Sequence, residues 1–364
     1  MAAIVTEAVP ARSIDTDVEV VAPNFKRRLS GVTSTIVQLI PIQARSLGIA
    51  TLGPGLPPAL PSIGWWQLGG LLRRPRGRPF RIWHARRNVE MIAGVLLRDV
   101  LRAPLKLVFT SAAQRNHKPF TKWLIRRMDA VIATNPSSGA FLEVPHTVIM
   151  HGVDLEKFHP RRGPEDDFAA SGLPGKRAIG CFGRIRHQKG TDLFVEAMIA
   201  LLPQFPEWTA IVTGRVTVEH QAFARELERR VAEAGLTQRI FFLGEVPDIK
   251  LWYRRISLYV APSRNEGFGL TPLEAMASGS PVVASDAGAY ADLIVDGETG
   301  RVVPANDGKA LEGAIRTYFA DPGLLEAHRA NALADVRKRF PLQREAEAIE
   351  RVYEGLWAKG ERTG

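Results

Sequence analysis

Two kinds of pattern alternate along the chain. Short runs are dominated by apolar residues: VEVVAP (18–23), IATLG (49–53), RIWHA (81–85), LKLVFT (105–110), AVIAT (130–134) and HTVIM (146–150). A second series follows with RAIGCFG (177–183), TAIVTG (209–214), RIFFLG (239–244), SLYVAPS (257–263), PVVAS (281–285) and RVVP (301–304). Between them lie stretches whose apolar residues recur every three or four positions, the mark of helices. Examples are GVTSTIVQLIP, NVEMIAGVLLRDVL, TDLFVEAMIALLP, EHQAFARELERRVAEAG and PLEAMASG. Strands that are apolar throughout must be covered on both faces, so the alternation predicts two parallel-sheet α/β domains with helices on both sides of each sheet. The expected division is 1–160, a polar linker at 161–176 within HPRRGPEDDFAASGLPGK, and 177–340. From Asp307 onward only helices are expected, broken at DPG (321–323) and Pro341. The last of these, 341–364, is expected to return toward the first domain. Ligands of such sheets bind at the carboxyl ends of the strands, and with two domains the expected site is the cleft between them.

Composition narrows the class. The 364 residues are 45% hydrophobic and 24% charged, as in a soluble globular protein. The one cysteine, Cys181, excludes an internal disulfide framework and a cysteine-based zinc site. MAAIVTEAVPARSIDTD lacks a basic segment followed by an apolar one, so no signal peptide is read. No apolar run reaches the roughly 18–20 residues of a membrane span, and a cytoplasmic location is expected. The net charge of +10 is unevenly distributed: through Arg162 there are 23 Lys and Arg against 10 Asp and Glu, and beyond it 25 against 28. A positive first half attracts nucleic acid, an anionic membrane or a phosphorylated substrate. Neither half has a recognition-helix signature or basic strands interleaved with aromatics, so nucleic acid is not an expected partner. IGWWQLGGLLRRPRGRPFR (63–81) sets Trp65 and Trp66 beside Arg73, Arg74, Arg76 and Arg78. It reads as an interfacial patch or as a solvated loop with core tryptophans.

Candidate chemistry is densest in EGFGLTPLE (266–274). Thr271 can cap the following helix with Pro272 at its first position, and Glu274 then completes a capping box or serves as a ligand. Glu266 stands before Gly267 and Gly269, which allow backbone to approach a ligand closely. The free amides of the helix start suit an anion. In CFGRIRHQKG, Arg184 and Lys189 offer a forked guanidinium and a point charge to a diphosphate, unless the segment is only a solvated basic turn. Cations for a leaving group, amides for its oxygens and carboxylates for hydroxyls together suit cleavage of a sugar–diphosphate bond.

GRIRHQKG, the E-x₇-E spacing, A-x-G-S-P-V-V-A-S-D and VDGETGRVVP resemble the retaining glycosyltransferases of family 4. That family has the GT-B fold, two Rossmann-like domains facing across a cleft, here with C-terminal helices. The resemblance covers nearly the whole chain and is most specific over 177–304. It implies that Glu274 accepts from the donor ribose, Glu266 contacts the donor sugar, and Arg184 and Lys189 hold the diphosphate. EVPD (245–248) falls where the base is read through backbone. The donor-binding residues so implied are Gly31, Gly183, Arg184, Lys189, Val246, Glu266, Gly267, Phe268, Gly269, Leu270, Thr271 and Glu274. His84, in RIWHARRN, matches a histidine near the donor sugar, or is a satisfied histidine at a strand end. Arg184, Lys189, Glu266 and His84 form the expected catalytic set.

The first half departs from the family. PNFKRRLSGVTS keeps only Gly31 of a glycine pair, and Thr110 and Ser111 stand where many relatives carry His-Gly. Through APNFKRRLSGVTSTIVQLIP, WHARRN and KWLIRRMDAVIAT it resembles the lipopolysaccharide core mannosyltransferases of alphaproteobacteria. That likeness implies a GDP-mannose donor and a Kdo-containing lipid A acceptor. It also implies peripheral contact with the anionic inner membrane, and Lys26, Arg27, Arg28, Arg86 and Arg87 become acceptor-binding candidates. No cofactor is expected beyond the nucleotide sugar, and no metal: Asp15-Thr16-Asp17 has a D-x-D form but precedes the first strand. A nucleotide-sugar hydrolase or epimerase on the same fold, another donor or acceptor, and a vestigial non-catalytic site are the alternatives.

Overall fold

The computed structural model describes residues 17–27 and 31–361, the side chain of Val32 excepted. The chain forms two compact units, one of residues 1–151 with 342–364 and the other of 152–341.

In the first unit the strands are β1 (Val20–Pro23), β2 (Ile49–Leu52), β3 (Arg81–Ala85), β4 (Leu105–Ser111), β5 (Ala130–Ala133) and β6 (Thr147–Val148). They form one parallel sheet in the order β2-β1-β3-β4-β5-β6. One sheet face is covered by a 3-10 turn (65–72), α2 (Asn88–Val95, prolonged by a π turn to Val100) and α3 (Pro119–Arg126), whose Leu71, Met91, Val95, Leu124 and Ile125 share a core with the strands. α1 (Gly31–Gln43) and the C-terminal helix (Leu342–Glu361) cover the other face. A one-turn helix, α4 (Pro136–Gly139), links β5 to β6. The C-terminal helix belongs to this unit because Leu342, Ala346, Ile349, Tyr353, Leu356 and Trp357 lie on one stripe and are all buried against it.

The second unit repeats the plan. β7 (Arg177–Phe182), α5 (Thr191–Leu201), β8 (Trp208–Thr213), α6 (Gln221–Glu233), β9 (Ile240–Gly244) and α7 (Ile249–Arg255) run outward in one direction. The chain then returns with β10 (Leu258–Ala261), α8 (Thr271–Ala277), β11 (Val282–Ser285), α9 (Tyr290–Leu293) and β12 (Gly300–Val303). The parallel sheet has the order β12-β11-β10-β7-β8-β9. α10 (Gly308–Ala320) and α11 (Pro322–Arg339) follow, and the C-terminal helix of the first unit is α12.

The predicted α/β class and all twelve strands are present, though β6 is reduced to two residues. Two local expectations fail. The stretch 161–176 is not a free linker, because it lies within the second unit, where Phe168 is buried and buried Asp166 is neutralised by Arg254 at 2.6 Å. Its polar composition conceals these two anchors. In the Gly/Pro-rich run 53–79, an eight-residue 3-10 turn forms where no element is predicted.

Candidate functional site

In the second unit the strand order reverses between neighbouring β7 and β10, so the loops leaving their carboxyl ends flank a crevice. The loop after β7 holds Gly183, Arg184 and Lys189, and the loop after β10 holds Glu266–Leu270. The two sequence motifs are therefore side by side, a closeness that their separation along the chain does not reveal.

Backbone geometry fixes the two loops against each other. Gly190 has φ +69°, and a Cβ there would collide with the Pro262 carbonyl. Gly269 has φ +84°, and a Cβ would collide with the Tyr290 ring and sit 2.9 Å from Glu266 Cγ. Only glycine fits either position. Phe268 is buried, and its carbonyl accepts from Ala289 N at 3.2 Å, which pins the loop tip. Arg184 is exposed and has no hydrogen bond or ion pair among the described residues. Lys189, in contrast, donates to Glu266 Oε2 in an ion pair whose side chains are 21% and 18% exposed. The Tyr290 hydroxyl lies 3.5 Å from the same oxygen, and Glu266 Oε1 accepts from Gly267 N at 3.1 Å. The site thus offers one free cation and one cation already paired with the carboxylate expected to meet the sugar.

The capping box does not form. Leu270 is the N-cap, in helical conformation and without a side-chain cap, and Thr271 is already the first helical residue. Glu274 then lies in the fourth position, beyond reach of the helix start, and its Oε2 accepts from the Tyr253 hydroxyl at 2.8 Å. Oε1 has no partner among the described residues. Although the residue as a whole is half-buried, its carboxylate lies deep. Burial pushes its pKa up, while the Tyr253 hydrogen bond and nearby Lys189 pull it down. Tyr253 is itself buried, edge-on to Phe182 with ring centroids 5.0 Å apart. A carboxylate with one oxygen fixed by a tyrosine and the other open is arranged to accept from a hydroxyl. Val246 is half-buried in the loop between β9 and α7, whose start is capped by Asp248 accepting from Lys250 N at 3.0 Å.

Sequence reasoning missed four residues that hold this arrangement: Tyr253, Tyr290, Asp192 and Arg264. Arg264, two residues before Glu266, forks onto Asp192 at the start of α5 at 2.7 and 2.8 Å. Its side chain also donates to the His187 carbonyl and to Asn306 Oδ1, both at 2.6 Å, and its backbone N to the Gln188 carbonyl at 2.9 Å. It joins the Lys189 loop to the Glu266 loop. No motif spacing indicates a pair 72 residues apart; the only signal was an arginine beside the glutamate.

In the first unit the order reverses between β1 and β3. Lys26 and Arg27 follow β1 and are exposed; Arg28 lies outside the described residues. Gly31 begins α1 with open space around it. Arg87, after β3, donates to Asn24 Oδ1 at 2.8 Å and to Thr33 Oγ1 at 2.9 Å, and pairs with Glu90 at 2.8 Å. It therefore ties the two loops together. Arg86 is buried, and its backbone N donates to Glu90 Oε2 at 2.8 Å. His84 departs from its expected catalytic place. Its ring is fully buried, with Nδ1 2.5 Å from Tyr353 Oη and Nε2 2.7 Å from Thr110 Oγ1. Burial first, then the Arg86 charge, holds its pKa well below the ordinary value. In this geometry no ring nitrogen is free for a sugar, and His84 is a satisfied histidine at a strand end. Of D-x-D only Asp17 is described, and among the described residues no cluster of three or more His, Cys, Asp or Glu could hold a metal.

Comparison with known proteins fits this picture. The family model described as glycosyl transferases group 1 matches residues 164–335. The chain is 69% identical over 341 residues to the lipopolysaccharide core biosynthesis mannosyltransferase LpcC of Rhizobium leguminosarum bv. viciae, covering 93% of this chain and 97% of that protein. It is 57% identical over 345 residues to the lipopolysaccharide core biosynthesis mannosyltransferase LpsB of Rhizobium meliloti, covering 93% and 98%. Among solved structures, Anabaena HepE in complex with UDP and glucose superposes with a TM-score of 0.77, at 20% identity, over 92% of this chain and 99% of that one; this likeness concerns the fold alone. Near-complete coverage of close relatives and the family match agree: the chain belongs to the group 1 glycosyl transferases and has the GT-B fold.

Proposed function

We propose that this glycosyltransferase acts in lipopolysaccharide core biosynthesis as a retaining mannosyltransferase, moving mannose from GDP-mannose onto a Kdo residue of the lipid A-bearing inner core. The observation that carries the reading is the convergence of Arg184, Lys189, Glu266 and Glu274 on the β7/β10 crevice. The names of the two close relatives supply mannose and the core; GDP and Kdo rest on the sequence resemblance.

In this reading the Arg184 guanidinium forks onto diphosphate oxygens, and the phosphates draw the Lys189 ammonium into a bridge between themselves and Glu266. Glu266 accepts from sugar hydroxyls, Glu274 Oε1 accepts from the ribose, and the Val246 loop meets the base. The bond from the mannose anomeric carbon to the diphosphate breaks, and the acceptor hydroxyl attacks from the same face. A departing phosphate oxygen takes the acceptor proton, so the products are GDP and the mannosylated acceptor. Such a route uses no metal and no side-chain base, which suits a buried, fully bonded His84. The first unit carries 24 Lys and Arg against 13 Asp and Glu, the second 24 against 25, so an acceptor bearing carboxylates and phosphates suits the first. No helix among the described residues is long and apolar enough to cross a membrane. The reading places the protein at the cytoplasmic face of the inner membrane.

The test offers GDP-mannose, UDP-glucose and UDP-galactose in turn, with and without Kdo-lipid A and with EDTA present. GDP-mannose alone should raise the melting temperature and give an α-linked product only when acceptor is added. Sugar release without acceptor would identify a hydrolase, and complete loss of activity in EDTA would refute the metal-free route.

A further inference from the structure

On the second unit, away from the crevice, a cleft of about 270 Å³ opens between α11 and the turn that follows α8, with Pro160 and Arg161 on a third side. It lies at the amino edge of the sheet, since Ser278 and Gly279 in its wall lead into β11, whereas the crevice loops leave the carboxyl edge. One water takes up roughly 30 Å³, so the space suits a small molecule.

Two polar groups in the wall lack partners. Ser278 is 3% exposed, and its Oγ makes no hydrogen bond among the described residues. Arg329, on α11, has a buried Nε that is likewise unbonded. The only acceptor its guanidinium meets among the described residues is the exposed Glu326, 3.2 Å from Nη1. A buried donor without an acceptor costs stability, so both groups are open positions for a ligand.

The charge around the cleft points the same way. Arg161 is held by the carbonyls of Arg254 at 2.7 Å, Arg255 at 3.3 Å and Ile256 at 3.5 Å, with Asp167 at 3.4 Å, and is a fixed charge. Burial foremost lowers the pKa of Arg329; Glu326 raises it, and the charges of Arg161 and Arg177 lower it again. Among the described residues that line the cleft, Glu326 is the one carboxylate. The carbonyls at the end of α8 would oppose an anion, but those of Glu274, Ala275 and Met276 already accept from Ser278, Ser280 and Gly279 N at 3.1, 2.9 and 3.1 Å.

We propose that this cleft is a second anion site, separate from the crevice, and that it takes the phosphate group of a small phosphate ester. The unused N–H groups of Arg329 donate to phosphate oxygens, the Ser278 hydroxyl donates to another, and Arg161 and Arg177 supply the charge that a dianion calls for. Both unbonded atoms are covered in this structure, so binding includes a rotation of each side chain toward the ester. Donors that approach from two helices suit a tetrahedral group better than a planar carboxylate. Pro160, Ala330 and Leu333 leave an apolar side for the carbon skeleton.

The test is calorimetry on the full chain with glycerol 3-phosphate and with inorganic phosphate. It is run on Arg184→Ala, which lacks the free cation of the crevice. This chain should still bind both probes saturably. Adding Arg329→Gln should weaken binding by about tenfold or more, and adding Ser278→Ala by about fivefold. Arg329→Gln removes a repelled charge, so the melting temperature without phosphate should not fall; were that variant not to fold, Ser278→Ala alone decides the matter. Loss of all binding on Arg184→Ala would assign the anion to the crevice and overturn the site. Binding that survives both added substitutions unchanged would overturn it too. Phosphate soaked into crystals should appear between Ser278 and Arg329. Density there without saturable binding in solution would mean an adventitious ion only, and would also overturn the site. Transfer plays no part in these readouts, so failure of the site leaves the proposed reaction standing.

Discussion

Lys189 and Glu266 neutralise each other within the loops that flank the crevice, so neither is available to a substrate without loosening the other. Arg184 has no such tie. Removing it should act on the bound diphosphate alone: Arg184→Ala should lower kcat/KM by about 10²- to 10³-fold, the loss typical of one preorganised charge-stabilising group, with an unchanged melting temperature. Steady-state kinetics beside a thermal melt checks both. Arg264 acts differently, through the loops it joins. Arg264→Ala should cut kcat/KM by about 10- to 100-fold through misplaced loops, and Arg264→Lys should not rescue it, because an ammonium cannot reproduce the fork onto Asp192. A double-mutant cycle with Asp192→Asn should be strongly non-additive. Additive losses would show that the two residues do not act as a unit.

At the scale of elements, the crevice loops depend on turns that accept only glycine, and the first unit depends on a helix supplied from the far end of the chain. Gly269→Ala forces a left-handed φ and a clash with Tyr290, so it should cost about 1–2 kcal/mol of stability and displace Glu266. Loss of nucleotide-sugar binding by calorimetry, together with a lowered melting temperature, is the expected result. α12 contributes Ile349, Tyr353, Leu356 and Trp357 to the core of the first unit, and Trp357 Nε1 donates to the Phe80 carbonyl at 3.0 Å. A chain ending at Pro341 exposes that core and leaves His84 Nδ1 without Tyr353. It should be recovered as insoluble or unfolded protein, which expression and circular dichroism would reveal. The apolar stripe of α12 was legible from its spacing, as were the breaks at DPG and Pro341. The short 3-10 turn at 65–72 was not, because glycine and proline hid residues whose burial depends on the sheet beneath.

For the whole molecule, buried histidines in both units set the response to pH. His84 is held well below its ordinary pKa by burial and by Arg86, with Tyr353 and Thr110 on its two nitrogens. His117 and His328 are lowered in the same direction, chiefly by burial. Below about pH 6.5 the unfolded chain binds protons that these folded sites refuse. Their contribution is therefore complete above that pH and is lost as the pH falls toward the folded values. The melting temperature should drop between pH 7 and 5, and His84→Gln should flatten that slope; an unaltered slope would remove His84 from the account.

The sequence by itself determined the two-sheet plan, because strands apolar along most of their length can be stable only between two helical layers. It also singled out the loops proposed to carry the chemistry, because a local run of glycines, carboxylates and cations has few other uses. Tertiary structure alone decided the partners. It placed the loops of β7 and β10 side by side, paired Lys189 with Glu266, bound Glu274 to Tyr253 instead of a helix cap, and enclosed His84 beneath α12. Such pairings join residues from 21 to 269 positions apart. They are set by strand order and by what remains buried once the sheets have closed, and no local pattern in the chain records either.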